Sequence, residues 1–234
     1  MRYFIKEDLK AICDQIVEQI DSLSGKKVLL TGAGGFLGRY ITEVIRQSNL
    51  SDKNINVTLI DNFIVSGSHG NFFKSVETDL IKVSNVDICN LSDVLTLGTF
   101  DLIVHAAGIA SPFYYRAKPL ATLEVSTKGT QNLLELARKS SARFSFFSSS
   151  EVYGDPDPNQ IPIKESYRGN VSSMGPRACY DESKRLGETL CYVYHEYYGV
   201  SSNVIRPFNV YGPGMQEDDY RVMPNFGSRI KAGK

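Results

Sequence analysis

The run Thr31-Gly32-Ala33-Gly34-Gly35-Phe36-Leu37-Gly38 follows a buried-strand pattern, Val28 to Thr31, and opens a helical one, Phe36 to Gln47. Gly32, Gly35 and Gly38 give the spacing G-x-x-G-x-x-G. One glycine permits the tight turn, one lets the backbone approach a pyrophosphate, and one lets the helix pack closely on the strand. The helix N-terminus then offers free N–H groups and a partial positive charge to phosphates. This context predicts a dinucleotide site with Gly32, Gly35, Phe36, Leu37 and Gly38 against the cofactor.

The rest of the chain keeps the rhythm that such a turn requires. Val57–Ile60, Leu102–His105, Phe144–Phe147 and Asn203–Ile205 read as strands, and residues 122–140 and 181–198 as helices. Strands alternating with helices predict a parallel sheet covered on both faces, a doubly wound α/β (Rossmann) fold. Between residues 62 and 100 the pattern is less decisive, because Ile81-Lys82-Val83 and Val94-Leu95 fit either state. Ahead of the first strand, Ile5, Leu9, Ile12, Ile16, Ile20 and Leu23 fall on one helical face, ended by Ser24-Gly25. Two readings suit that segment: a helix packed on the main body, or a dimer contact. The expected organisation is an amphipathic N-terminal helix within residues 1–25 and a nucleotide-binding domain over 26–234.

Composition excludes several classes. Twenty-six basic residues balance twenty-six acidic ones, so no global field recruits nucleic acid or an anionic membrane. No apolar run approaches the roughly 20 residues of a membrane span. Cys13, Cys89, Cys179 and Cys191 lack metal-type spacing and read as free thiols of a reducing, cytoplasmic compartment. His69, His105 and His195 have no metal-ligand partners at useful spacing, so no metal site is expected.

Asp61 closes the second strand twenty-three residues after Gly38. An acid there accepts from a ribose 2′-OH and repels a 2′-phosphate, and Asn62 follows with no Lys or Arg to welcome one; NAD is favoured over NADP. Asp87-Ile88 reads as the pair beside the adenine, with Asp79-Leu80 competing for that register.

Two further motifs carry chemistry. Ser148-Ser149-Ser150-Glu151-Val152-Tyr153-Gly154 lies beyond the strand at 144–147, where ligands bind in open α/β sheets. Tyr180 and Lys184, in Tyr180-Asp181-Glu182-Ser183-Lys184, are four apart at the start of a helix and face the same way. A phenol with a pKa of ~10 is a poor base at neutral pH, but a nearby ammonium and a cofactor's positive ring can lower it.

The ordered set G-x-x-G-x-x-G, His105-Ala106-Ala107-Gly108, SSSEVYG and YDESK resembles the extended short-chain dehydrogenase/reductase family, over essentially residues 26–234. Ser149–Pro156, Gly175–Arg185, Arg221-Val222 and Asn225-Phe226 most resemble its UDP-glucuronate decarboxylases. That resemblance implies NAD as cofactor and a nucleotide sugar, UDP-linked, as substrate. Tyr180 would be the base, Lys184 its partner at the nicotinamide ribose, Ser149 a contact to the sugar 4-hydroxyl or Tyr180, and Ser150 and Glu151 groups at the C5 side. Ala106, Ala107, Gly108, Ser148 and Pro207 would meet the cofactor, and Ser111, Tyr114, Asn209 and Arg221 the substrate. Related dehydratases carry an Asp where this chain has Ser150, and serine is a poor general acid, so water elimination is disfavoured. Epimerases commonly lack the carboxylate of Glu151. Dehydratase, epimerase and non-catalytic NAD-binding module are the alternatives. A homodimer through helices 122–140 and 181–198 is also implied. Two departures stand out: Ser126 where the family usually has Asn, and a chain that stops at Lys234, where the C-terminal substrate domain would mostly still follow.

Overall fold

In the computed structural model, which describes residues 4–65, 70–216 and 221–233, six strands form one parallel sheet of order β3-β2-β1-β4-β5-β6. His69 lies outside the described residues. In chain order the elements are α1 Lys6–Gln15, α2 Val17–Ser22, β1 Lys27–Thr31, α3 Phe36–Asn49, β2 Asn56–Asp61, α4 Gly70–Val76, β3 Ile81–Asn85 and α5 Leu91–Leu95. There follow β4 Leu102–His105, α6 Pro112–Ala117, α7 Pro119–Ser126, α8 Lys128–Ser140, β5 Arg143–Phe147, α9 Ala178–Tyr198, β6 Ser202–Ile205 and α10 Val222–Lys231. The doubly wound expectation is met, and the strand order reverses direction between β1 and β4.

Alternation along the strands builds two cores. On one face Val28, Leu30, Val57, Leu59 and Ile81 pack under α1 to α4; on the other Leu29, Ile103, Phe144 and Phe146 pack under α5, α8 and α9. Burial on both faces explains why the strands read as nearly unbroken apolar runs.

The expected helix over 5–23 is two helices. Ile16 (φ −118°, ψ 26°) breaks it, and the β-branched pair Ile16-Val17 is a weak point for helix propagation. Leu9 and Ile20 both reach the core beside Val44 and Ile45, so this segment is part of the main body and not a unit of its own. The helix expected over 122–140 divides likewise at Thr127 into α7 and α8. Ile81–Asn85 resolves as strand, and Leu91–Leu95 as a short helix capped by the Asn90 side chain. Beyond β4, α6 begins at Pro112, which occupies a first-turn position that needs no N–H. Among the described residues no helix is long and apolar enough to cross a membrane.

Candidate active site

The parallel register aligns Thr31 with Ile60 and His105, His105 with Phe146, and Phe147 with Ile205, so the strands end together. Beyond these carboxyl ends lies a cleft of about 850 Å³. Every site residue expected from the sequence lines it, from Gly32, Gly35, Phe36, Leu37 and Gly38 at one end to Ser111, Tyr114, Asn209 and Arg221 at the other.

The glycine turn fits a dinucleotide on its own geometry. Gly32 has φ +66°, and a Cβ there would stand 2.6 Å from the Ala107 backbone; at Gly38 it would overlap the Gly32 carbonyl oxygen. Glycine is therefore what allows the turn from β1 into α3 to pass close to the backbone that follows β4, and α3 to seat closely. Asp61 stabilises the same turn, accepting from Gly34 N–H at 2.9 Å with Oδ2 and from Phe63 N–H at 2.8 Å with Oδ1. Its carboxylate thus faces the turn and the cleft at once. Asp87 and Ile88 follow β3 and line the cleft, which decides the register against Asp79-Leu80.

Behind the turn, His105 is fully buried in a closed network. Thr130 Oγ1 donates to Ser126 O at 2.8 Å, so it accepts from His105 Nε2–H at 3.1 Å. Nδ1 then accepts from Thr31 Oγ1 at 2.9 Å, whose oxygen accepts Ala107 N–H at 3.2 Å. Burial pushes this imidazole down to about 3, with the Lys184 charge adding to the effect. Ser126, where the resembled family has Asn, is buried, and its Oγ has no hydrogen-bond partner among the described residues.

At the centre of the cleft α9 presents Tyr180 and Lys184, both buried. Lys184 Nζ donates to Phe147 O at 2.8 Å, and a Cβ on Gly108 would sit 3.1 Å from it. Burial lowers Lys184 to about 8. The Ser149 hydroxyl acts on Tyr180 to lower its pKa, and it accepts Glu151 N–H at 3.3 Å. The expectation that the ammonium draws the phenol pKa down is not met in the free protein. Burial pushes Tyr180 up, only partly opposed by Ser149, and Lys184 Nζ lies 5.9 Å from the phenol ring centroid. Ser150 and Glu151 open a short 3-10 turn, Ser150–Tyr153. Glu151 Oε2 pairs with Arg177 Nη2.

Several contacts of the site carry no sequence motif. Ser148 lines the cleft, but its hydroxyl donates to Glu188 Oε1 at 2.6 Å. Glu188, one turn beyond Lys184, is gripped by Arg206 through Nε (2.8 Å) and Nη2 (2.6 Å), and Arg206 Nη1 also donates to Tyr153 Oη at 2.9 Å. This holds the ends of β5 and β6 against α9. Tyr115 packs on Tyr180. The four-residue spacing from Lys184 to Glu188 was the one signal that could have placed Glu188 on the site's side of the helix.

A glycine turn at the switch point of a doubly wound sheet, with Tyr and Lys one turn apart beyond its carboxyl edge, defines a dinucleotide-dependent protein of the short-chain dehydrogenase/reductase type. The chain belongs to the NAD dependent epimerase/dehydratase family, a family of enzymes whose model matches residues 28–234. It is 39% identical over 201 residues to UDP-glucuronic acid decarboxylase 1 of Xenopus tropicalis, covering 86% of this chain and 45% of that one. With UDP-glucuronic acid decarboxylase 6 of Arabidopsis thaliana it shares 38% identity over 211 residues, 90% of this chain and 58% of the relative. The chain thus spans about half the length of these curated relatives. Among solved structures, UDP-N-acetylglucosamine 4-epimerase from Methanobrevibacter ruminantium M1 superposes with a TM-score of 0.75 at 28% identity, over 89% of this chain and 64% of that one. UDP-glucuronic acid 4-epimerase from Bacillus cereus, in complex with NAD, gives 0.70 at 26%, over 89% and 64%.

Proposed function

We propose that this chain carries the cofactor site and catalytic groups of an NAD-dependent enzyme that decarboxylates UDP-glucuronate to UDP-xylose through a 4-keto sugar. The observation that carries the reading is the joint placement of Ser149, Glu151, Tyr180 and Lys184 in one cleft, with Ser150 in place of an acid. The decarboxylase relatives support the same choice of substrate.

Bound NAD would supply the redox chemistry, accepting hydride from C4 of the sugar and returning it at the end. The glycine turn and Asp61 would hold the cofactor's pyrophosphate and ribose ends, with Asn62, Asp87 and Ile88 toward the adenine. Ala106, Ala107, Gly108 and Pro207 would border the nicotinamide half, as would Ser148, which is anchored by Glu188. Tyr180 takes the proton of the 4-hydroxyl, Ser149 steadies that oxygen, and Lys184 offers its remaining N–H groups to the ribose. Burial pushes the Tyr180 phenol up, so its action as a base would draw on the positive charge of the bound cofactor. Oxidation at C4 places a ketone β to the C6 carboxylate, so carbon dioxide leaves with its bonding electrons held as an enolate. Glu151 and Ser150 then govern protonation at C5. Ser111, Tyr114, Asn209 and Arg221 position the sugar nucleotide.

The free thiols support a reducing, cytoplasmic setting. Leu120, Leu123, Leu186 and Tyr192 are exposed on α7 and α9, which supports pairing of two copies through this side of the molecule. Incubation with NAD and UDP-glucuronate tests the reading: carbon dioxide and a UDP-pentose are expected. Turnover of a neutral hexose nucleotide instead indicates a dehydratase or epimerase, and cofactor binding without any turnover a dinucleotide-binding module.

A further inference from the structure

Arg177 stands at the lip of the cleft between two acids. Its Nη2 pairs with Glu151 Oε2 across twenty-six positions of sequence, and its Nε lies 3.5 Å from Asp181 Oδ2 in the first turn of α9. Asp181 is buried, with an exposed fraction of 8%, and its Oδ1 has no hydrogen-bond partner among the described residues. Burial pushes the Asp181 carboxyl up, partly opposed by Arg177, so this guanidinium is what makes two neighbouring acids tolerable there. Arg177, Glu151 and Tyr180 all line the same cleft.

We infer that Arg177 is a specificity-determining residue: by offsetting the charge of Glu151 and Asp181 it lets a sugar bearing its own carboxylate approach Tyr180, where an uncharged sugar needs no such help. The inference rests on the decarboxylase reading. A substrate carboxylate placed beside Glu151 would be a third negative charge in a partly desolvated cleft, and like charges at such distances are strongly unfavourable. Arg177 offsets one of the two resident charges before the substrate arrives and is shared between both acids. UDP-glucose carries the same diphosphate but no carboxylate on its hexose, so the two ligands separate a charge effect at the sugar from a loss of shape.

Calorimetric binding of UDP-glucuronate and of UDP-glucose to the NAD-loaded full chain, in a Tyr180→Phe background that blocks turnover, tests this. Arg177→Gln is expected to weaken UDP-glucuronate about tenfold or more and UDP-glucose by less than about twofold. Arg177→Lys, which keeps the charge, restores most of the loss, and so does Arg177→Gln combined with Glu151→Gln. Glu151→Gln alone tightens UDP-glucuronate only, a result that remains readable if Arg177→Gln does not fold. Equal losses for both ligands, or no loss for either, would overturn the assignment while leaving the decarboxylase reading in place. A protein with Arg177 intact that binds UDP-glucose but no UDP-glucuronate would overturn both.

Discussion

The Tyr115 ring stacks on that of Tyr180, with centroids 5.6 Å apart and planes inclined by 15°. Tyr115 comes from α6, just beyond β4, and Tyr180 from α9, so the contact ties the proposed base to an element on the other side of the cleft. A stacked neighbour leaves the phenol little freedom to swing away from Ser149.

Tyr115→Leu is therefore expected to lower kcat about tenfold while leaving NAD affinity unchanged, because the base loses its orientation and the phosphate turn is untouched. Steady-state kinetics with cofactor titration checks this. Equal loss of NAD binding would show that Tyr115 supports the whole cleft.

Glu188→Gln should cost about 2 kcal/mol of unfolding free energy, because it weakens a two-pronged hydrogen-bonded charge pair that is largely out of water. Urea denaturation reads this directly. Arg206→Met should give a similar loss, and the double variant much less than the sum, since both remove the same interaction.

Two buried bases set a pH dependence. His105 drops from 6.5 to about 3 on burial, so the unfolded chain binds a proton that the folded one refuses between those values. Stability from this group is fully present above pH 6.5 and is lost as pH falls below it. Lys184 drops from 10.5 to about 8 on burial, so its unfavourable contribution is largest below about pH 8 and fades as pH rises toward 10.5. Denaturation midpoints of Lys184→Met should accordingly gain on wild type at neutral pH and converge with it above pH 10. A His105 imidazole signal that titrates near 6.5 by NMR would contradict the buried, neutral assignment.

Gly32→Ala should abolish measurable NAD binding. The added Cβ forces the turn away from the Ala107 backbone and strains a positive-φ residue at the phosphates. Fluorescence titration with NAD is the check, and retention of wild-type affinity would contradict this placement of the cofactor.

The central strands were legible because they are largely buried and bounded by glycine or polar turns; Leu102–His105 appears at the same limits in sequence and structure. Helix breaks were not. Nothing in a periodic pattern marks Ile16 or Thr127, where packing on the core decides the path of the chain. The cleft was legible wherever a residue is tied to strand-end geometry, as with Asp61 and Ser149, or to helical spacing, as with Tyr180 and Lys184. It was illegible where function depends on contacts between distant segments, as with Arg177 and Glu151, Arg206 and Glu188, or Tyr115 and Tyr180. The fate of Ser148 illustrates the limit: its position follows from the strand, while its hydroxyl's partner follows from a helix forty residues away.

The most direct test of the account uses UDP-glucuronate labelled with deuterium at C4, followed by mass spectrometry of the nucleotide-sugar product. Oxidation and re-reduction at one carbon, within one cleft, predict a UDP-pentose that keeps the deuterium at C4 and takes a solvent proton at C5, with release of carbon dioxide. Loss of the C4 label to solvent, or a product that retains its carboxylate, would contradict it.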